Sequence, residues 1–386
     1  MEIERLIPVR IREVPADSPV AWAKGMQVSL PRSTLEKAGL IDDLDANDNL
    51  TIPAEIPPIN PRDVQDLRSR AAYTRRQPVS SRLPVSYQMV PARLRSLIAL
   101  VMGRWKRRRP ERWATFPRWP LDLSVDFLSD LCGSEPSPFR SGPTPVLLSH
   151  DLDSPEGLKN VVRKFLELEE KVGARSSSYI VPCGWPIDYG LLDELKDRGH
   201  EVGIHGYDHA NRTAFCDPDQ QRERLEGASE LIQRYDIIGY RSPSLLRTPS
   251  LLKSLREFYR YDTSIPTSGG LFPVPNNGCS SARPFQIEGI VEIPISLPRD
   301  GSLKALGYSP DESLQFWIRC GEAISRSGGV VVLLTHCEAR FSGNAPALDA
   351  YRHFLEHVSG SNRYLWSTPG EVLERAFEKT RVNRAS

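Results

Sequence analysis

Val146-Leu147-Leu148-Ser149-His150-Asp151-Leu152-Asp153-Ser154-Pro155 begins as a buried strand and ends in two carboxylates. Charge at the end of an apolar run is costly unless it is paired or bound to metal. Helix capping does not account for the acids, because Ser154-Pro155 already supplies a capping oxygen ahead of a proline at the first helical position. A buried strand running directly into a capped helix is the repeating unit of a parallel sheet with right-handed crossovers.

The unit recurs downstream. Apolar runs predict strands at Val146–Ser149, Ser178–Val181, Glu201–His205, Ile237–Tyr240, Tyr261–Ser264, Val291–Ser296, Val330–Thr335 and Tyr364–Trp366. Amphipathic stretches predict helices at Gly157–Val172, Tyr189–Arg198, Gln220–Tyr235, Leu251–Phe258, Glu312–Arg326, Ala347–Val358 and Glu371–Lys379. Asp217-Pro218, Thr248-Pro249, Ser309-Pro310 and Thr368-Pro369 repeat the cap-then-proline signal of Ser154-Pro155. Roughly seven such units predict an α/β fold, a closed or nearly closed β/α barrel, with an open doubly wound sheet as the alternative. No glycine-rich phosphate loop follows the first strand, which disfavours a nucleotide-binding version.

A barrel puts its chemistry at the C-terminal ends of its strands. Asp151 and Asp153 end the first strand. Glu201–Ile204 runs into His205-Gly206-Tyr207-Asp208-His209, a histidine pair four residues apart. With a strand-end aspartate, that pair makes a two-His, one-carboxylate set suited to zinc or a similar divalent ion, with positions left open for water and substrate. His200 precedes its strand and so belongs to the opposite end, a structural position. Arg241-Ser242-Pro243 follows Tyr240, and its cation can hold a nearby carboxylate ionised. Asp262 ends another strand. His336 follows six buried residues, Val330 to Thr335, and suits acid–base work better than packing. Alternation turns its neighbour Cys337 to the other face.

Composition excludes several classes. The 386 residues are 39% hydrophobic and 26% charged with a net charge of +1, so the chain is not a polycation built to coat nucleic acid. Its six cysteines form no CxxC pair, consistent with free thiols in a reducing compartment rather than a disulfide framework or zinc ribbon. Met1–Arg12 alternates charged and apolar residues without the apolar core of a secretory signal, and no run is long enough to span a membrane, so a cytoplasmic location is expected.

Residues 1–140 read as a Pro- and Arg-rich accessory region, 141–380 as the catalytic domain and 381–386 as a tail. Within the first, Pro61–Thr115 carries fourteen Lys or Arg against three acids, a local balance of +11, peaking at Arg104–Arg109. Leu94, Leu97, Ile98 and Val101 precede that peak at helical spacing. A basic amphipathic helix over 94–112 suits peripheral contact with an anionic inner membrane face; a solvated basic face packed on the main domain is the plainer alternative, and no nucleic-acid motif is present. Asp42 to Asp48 is expected to be a loop or accessory element.

Together these segments resemble the NodB-type polysaccharide deacetylases, metal-dependent de-N-acetylases and de-O-acetylases on a distorted (β/α) barrel. The resemblance spans Pro143 to Ala376 and keeps five family motifs in order; Gly199-His200-Glu201-Val202-Gly203 leading to His205 and His209 is the most specific, and Arg241-Ser242-Pro243, Asp262 and Leu334-Thr335-His336 follow. It implies that Asp151 is the general base, that Asp153, His205 and His209 hold the metal, and that Arg241 orients Asp151. It also implies that Asp262 tunes His336, the general acid. Ser244, with a backbone N–H near it, and Tyr207 are expected to face substrate. Three departures stand out. Leu152 separates two aspartates that are usually adjacent, as in a His-Asp-x-Asp branch, so which of them is ligand stays open. Gly206 replaces a Ser or Thr, and Ser244 stands where an aromatic often follows the proline.

The implied function is hydrolysis of an acetyl group from an N-acetylated sugar of a polysaccharide, glycolipid or surface-glycan precursor, with zinc the expected ion. A metal-dependent amidase or imidase, or an O-acetyl esterase, is the alternative on the same fold. A catalytically silent glycan-binding module is a third reading, although neither the base nor any ligand is missing.

Overall fold

The computed structural model describes residues 6–54, 59–74, 76–82, 92–109, 112–113, 115–133, 137–269 and 277–382. Its strands are β1 Leu6–Glu13, β2 Gln27–Pro31, β3 Asn49–Thr51, β4 Thr144–Leu152, β5 Ser176–Ile180 and β6 Glu201–Ile204, then β7 Gly239–Tyr240, β8 Tyr261–Asp262, β9 Phe285–Ile287, β10 Ile290–Glu292, β11 Val331–His336 and β12 Tyr364–Trp366.

Nine strands form one curled sheet in the order β11-β4-β5-β6-β7-β8-β10-β9, with β12 beside β4. All neighbours are parallel except the β9–β10 pair. The curl closes without a further strand pair. Leu297 N donates to Val332 O at 3.1 Å, and Ser296 Oγ links Val330 O and Val332 N. This is the distorted (β/α) barrel that the family resemblance implies, and it decides between the barrel and the open sheet that the strand–helix alternation left open. All five anticipated caps form: Ser154, Asp217, Thr248, Ser309 and Thr368 each accept from the amide three residues on.

Strand alternation sorts the side chains. In β4, Leu147 joins the inner core with Tyr179, Tyr261, Ile293 and Val332, whereas Val146, Leu148 and Leu152 join the outer core beneath the helices. The same period turns Asp151 inward and His150 outward. In β11 it turns His336 inward and sends Cys337 to the outer core. The register pairs His336 with Asp151 and Thr335 with His150.

Several elements differ from the sequence reading. Gln220–Tyr235 divides into Pro218–Glu226 and Ser229–Tyr235, because Gly227 at the break lies against the Tyr207 ring, where a Cβ would approach Cε2 to 2.7 Å. The strands that end at Tyr240 and Asp262 are two residues long, and β9 lies outside the predicted strands. The N-terminal region is more ordered than its composition suggests. β2-β1-β3 form a small sheet with its own core, in which Val9, Ile11, Val28 and Leu30 meet Val125, Phe127 and Leu128 of the helix Ser124–Leu131. That helix also ties to the barrel, where Asp126 and Asp130 accept hydrogen bonds from Ser281 and Arg283. The basic stretch contains a helix, Ala92–Arg107. Among the described residues no helix is long and apolar enough to cross a membrane. Residues 383–386 of the tail lie outside the described residues.

Candidate metal centre and active site

Asp151, Asp153, His205, His209, Arg241 and His336 converge at the C-terminal mouth of the barrel, from the ends of β4, β6, β7 and β11. One carboxylate oxygen of Asp153 and one ring nitrogen each of His205 and His209 lie within 4.8 Å of one another. Asp153 Oδ1 is 3.2 Å from His209 Nε2 and 3.6 Å from His205 Nε2. It is buried and accepts no hydrogen bond. His205 Nδ1 lies 3.0 Å from the Arg241 carbonyl, which can only accept, so Nδ1 carries the proton and Nε2 presents its lone pair to the cluster. A bare buried carboxylate oxygen facing an imidazole lone pair is a poor arrangement for protein alone and fits a divalent cation with O and N ligands.

Asp151 is placed differently. Its Oδ1 accepts from Arg241 Nη1 at 2.9 Å. Its Oδ2 lies 3.6 Å from His205 Nε2 and 4.0 Å from His336 Nε2, facing the centre. Burial pushes the Asp151 carboxyl up, but His205, Arg241 and His336 outweigh burial and hold it below the usual carboxylate range. Arg241 is itself fully buried and rigidly held. Nη2 donates to Ser149 Oγ at 3.0 Å and Nε to Thr263 O at 3.2 Å, and the guanidinium lies 4.1 Å from the Tyr179 ring centroid. Gly203 makes room for that ring, since a Cβ there would come within 2.5 Å of it.

His336 lies across the centre. Its Nδ1 is 2.8 Å from Asp300 Oδ1, and its backbone N donates to Asp300 Oδ2 at 2.8 Å. Ser342 Oγ also donates to Oδ2 at 2.8 Å. Burial alone would lower the imidazole, but Asp300, then Asp153 and Asp151, raise it to about 9. His205 shows the reverse: burial dominates and lowers it to about 4. The expectation that Asp262 tunes His336 is therefore corrected, because Asp300 occupies that position. Asp262 accepts from Ser264 Oγ at 2.6 Å, and Ser264 Oγ accepts from the Ser242 amide at 2.8 Å, so Asp262 braces the Arg241-Ser242-Pro243 turn. Burial raises its pKa and that of its neighbour Glu292.

The departures in the second motif acquire physical reasons. Gly206 has φ +69°, and a Cβ would collide with the Pro243 ring. The turn that delivers His209 thus needs glycine where a hydroxyl residue was expected. His209 itself sits at φ 54°, and Ser244 and Leu245 at φ 53° and 56°, so both turns around the cluster hold backbone in the left-handed region. The Tyr207 ring is held by the Arg224 guanidinium, 4.4 Å from it, and lies against Gly227.

Beyond Asp300, three nearby groups went unnoticed in the sequence. Glu338 accepts from Ser154 Oγ at 2.7 Å, and burial followed by Asp153 raises it to about 7. The Arg340 guanidinium lies 3.9 Å from Asp153 Oδ2, and the Phe341 ring 4.8 Å from His336. On the outer face, His150 bridges Thr335 Oγ1 and Glu169 Oε1 at 2.9 Å each, and Tyr351 OH donates to the same Glu169 oxygen at 2.8 Å. This buried network clamps β4 to β11 one residue behind Asp151 and His336.

Residues 142–257 match the family model for polysaccharide deacetylase. No curated protein matches. Among solved structures, a putative polysaccharide deacetylase from Mycobacterium smegmatis is 20% identical with a TM-score of 0.51, covering 62% of this chain and 92% of that one. A probable polysaccharide deacetylase from Pseudomonas aeruginosa PAO1 is 12% identical with a TM-score of 0.50, covering 68% and 99%. PuuE allantoinase is 14% identical with a TM-score of 0.52, covering 67% and 98%. These likenesses establish a shared fold.

Proposed function

We propose that this chain, whose residues 142–257 carry a domain of the polysaccharide deacetylase family, is a metal-dependent hydrolase that removes an acetyl group from an N-acetylated sugar of a polysaccharide, glycolipid or surface-glycan precursor. The observation that carries the reading is Asp153 Oδ1, buried and without a hydrogen bond, facing His205 and His209. Asp153, His205 and His209 would hold the ion, with zinc the first choice for one carboxylate and two imidazoles. When bound, the ion supplies Lewis-acid polarisation of the acetyl carbonyl and a lower pKa for the attacking water.

The chain's own residues supply the rest. Asp151, held ionised by Arg241, takes the water proton at Oδ2. We assign the base to Asp151 because Arg241 engages its Oδ1, and the ligand to Asp153 because its Oδ1, facing both histidines, accepts no hydrogen bond. The turn at Ser244 brings a backbone N–H toward the developing oxyanion. His336, kept protonated by Asp300, gives the Nε2 proton to the departing amine. Phe341, packed on His336, offers a face for the sugar ring. Acetate and the free amino sugar leave.

The fold shared with an allantoinase keeps a ureide or imide amidase as the second reading, because the same base, ligands and acid would serve a non-sugar C–N bond. The test is metal content of the purified chain beside its His205→Ala, His209→Ala variant, followed by acetate release from N-acetylated sugars. About one equivalent of a divalent ion in the parent, lost in the variant, with acetate release in the parent alone, is the expected result. A parent that binds no metal after exposure to zinc or cobalt overturns the proposal. Metal binding with hydrolysis of cyclic ureides but not acetylated sugars selects the amidase.

A further inference from the structure

The helix Ala92–Arg107 exposes an apolar face that nothing among the described residues covers. Eight large apolar side chains are strongly exposed among those residues, and six of them are on this helix: Leu94, Leu97, Ile98, Val101, Met102 and Trp105, between 42% and 61% exposed. At 3.6 residues per turn they fall within an arc of about 140°. Gly103 lies nearly opposite the centre of that arc, and this back face is sealed to the body. A Cβ at Gly103 would collide with the Ala305 carbonyl. Arg107 donates to Gly307 O at 2.9 Å and to Glu312 Oε1 at 2.8 Å, and its guanidinium lies 3.9 Å from the Tyr308 ring centroid. The helix is therefore fixed with its stripe outward.

Charge selects the occupant. Residues 92–109 contain seven cations (Arg93, Arg95, Arg104, Lys106, Arg107, Arg108 and Arg109) and no acid. A second copy packed stripe to stripe would bring two such cation runs together, with Arg107 of each already paired to Glu312 and no acid in either helix to meet the others. A protein groove takes an amphipathic helix by its apolar face, and to receive this one it would have to carry acids along both rims to meet the flanking cations. A flat anionic surface meets neither obstacle. Its headgroups pair with the cations, its acyl region accepts the leucines, and Trp105 suits the boundary between them.

We propose that this helix docks the chain, stripe down, on an anionic lipid surface. Resting on the deacetylase reading, the proposal also narrows the substrate class to an N-acetylated glycan anchored in that surface. A cavity of about 220 Å³ supports this, since its lining runs from Tyr308, the residue under Arg107, to Phe341 and Asp300 beside His336.

The test is flotation of the full chain with phosphatidylcholine vesicles made with and without phosphatidylglycerol. The parent should float only with the anionic vesicles, and less as salt rises. Leu97→Glu with Val101→Glu should lower partitioning at least about tenfold, and Arg104→Gln with Arg108→Gln about fivefold for each cation removed. Both variants should keep the parent's melting temperature and its rate on a soluble acetylated sugar. Brominated acyl chains should quench part of the tryptophan emission of the parent, and that part should be missing in Trp105→Phe. No flotation at low salt overturns the proposal. So does a parent that light scattering finds dimeric and the Leu97→Glu, Val101→Glu variant monomeric, with neither bound to vesicles. Asp151→Asn, expected to lose turnover, should still float like the parent, whereas a parent that floats but hydrolyses no acetylated sugar refutes the deacetylase reading and leaves docking intact.

Discussion

His205 and His336 stand on either side of Asp151, their Nε2 atoms 3.6 and 4.0 Å from the same oxygen, and the fold drives them to opposite protonation states. At the end of β6, burial holds His205 down at about 4, and its Nδ1–H is committed to the Arg241 carbonyl. At the end of β11, Asp300 engages both the ring and the backbone amide of His336 and lifts it to about 9. One imidazole is thereby made a neutral donor of a lone pair and the other a cation with a proton to give. Groups whose surroundings push their pKa values apart mark the division of labour in a hydrolytic site.

Asp151, between them, provides the sharpest way to break this comparison. Asp151→Asn removes the proton acceptor but leaves Asp153, His205 and His209 in place. We expect kcat to fall about 10²–10⁴-fold, the range for a positioned general base, while metal content stays at the parent level. Full activity in the variant would remove Asp151 from the chemistry; loss of metal would make it a ligand and leave the base unassigned.

Asp300→Asn addresses the His336 side. The raised pKa of His336 means the protonated acid persists well above its ordinary range, so the rate should decline on the alkaline side near pH 9. Without the Asp300 charge that alkaline limb should move down toward about 6.5, the ordinary imidazole value, and activity at pH 8 should drop about tenfold or more while activity at pH 6 changes least. An alkaline limb that stays in place would mean another group sets it. The same linkage appears in stability. A histidine raised on folding stabilises the native state fully below its unfolded pKa of about 6.5 and loses that contribution as pH rises toward 9. Asp300→Asn should therefore lower the melting temperature more at pH 6 than at pH 10.

The two halves also differ in how far the sequence revealed them. The β4 and β6 side is local. Asp151, Asp153, His205 and His209 lie within two short stretches, and the alternation of β4 and the strand-to-turn exit of β6 place them without knowledge of the rest of the chain. Asp300 lies 36 residues before its histidine, past the short β10 and an irregular run, so no spacing links the two. The strand-end criterion, applied after Val291–Ser296, does reach Leu297-Pro298-Arg299-Asp300, and that was the available signal. Asp262 ends a strand, and the resemblance implies its role toward His336, but its strand is two residues long and its side chain turns to Ser264. The caps were legible because each depends on two adjacent residues. Gly206 was not, because its constraint comes from Pro243, across the β6–β7 boundary. The N-terminal sheet was hidden by composition, although the alternation of Val9 and Ile11 with Arg10 and Arg12 was there to be read as a strand.

Gly206→Ala tests the ligand side through its backbone. Alanine at φ +69° costs about 1 kcal/mol, and relieving the clash with Pro243 costs about 1–3 kcal/mol more. We expect a lower melting temperature and weaker metal retention, because the turn carries His209. A variant as stable as the parent would show that the turn can relax, and His209 with it.

Asp262→Asn should have the smallest effect, and it separates the two candidate partners of His336. Asp262 is fully buried, burial raises its carboxyl, and Glu292 beside it is raised well above the usual range, so the pair favours holding a proton over bearing two charges. Asparagine has the shape of the protonated acid and keeps an oxygen to accept from Ser264, so the brace on Ser242 can persist. We expect a stability change within about 1 kcal/mol, the size of one hydrogen bond's net contribution. The alkaline limb should stay where the parent has it. If instead Asp262→Asn moves that limb down as Asp300→Asn is expected to, Asp262 acts on His336 from a distance and the contrast between the two ends of the site loses its basis in Asp300.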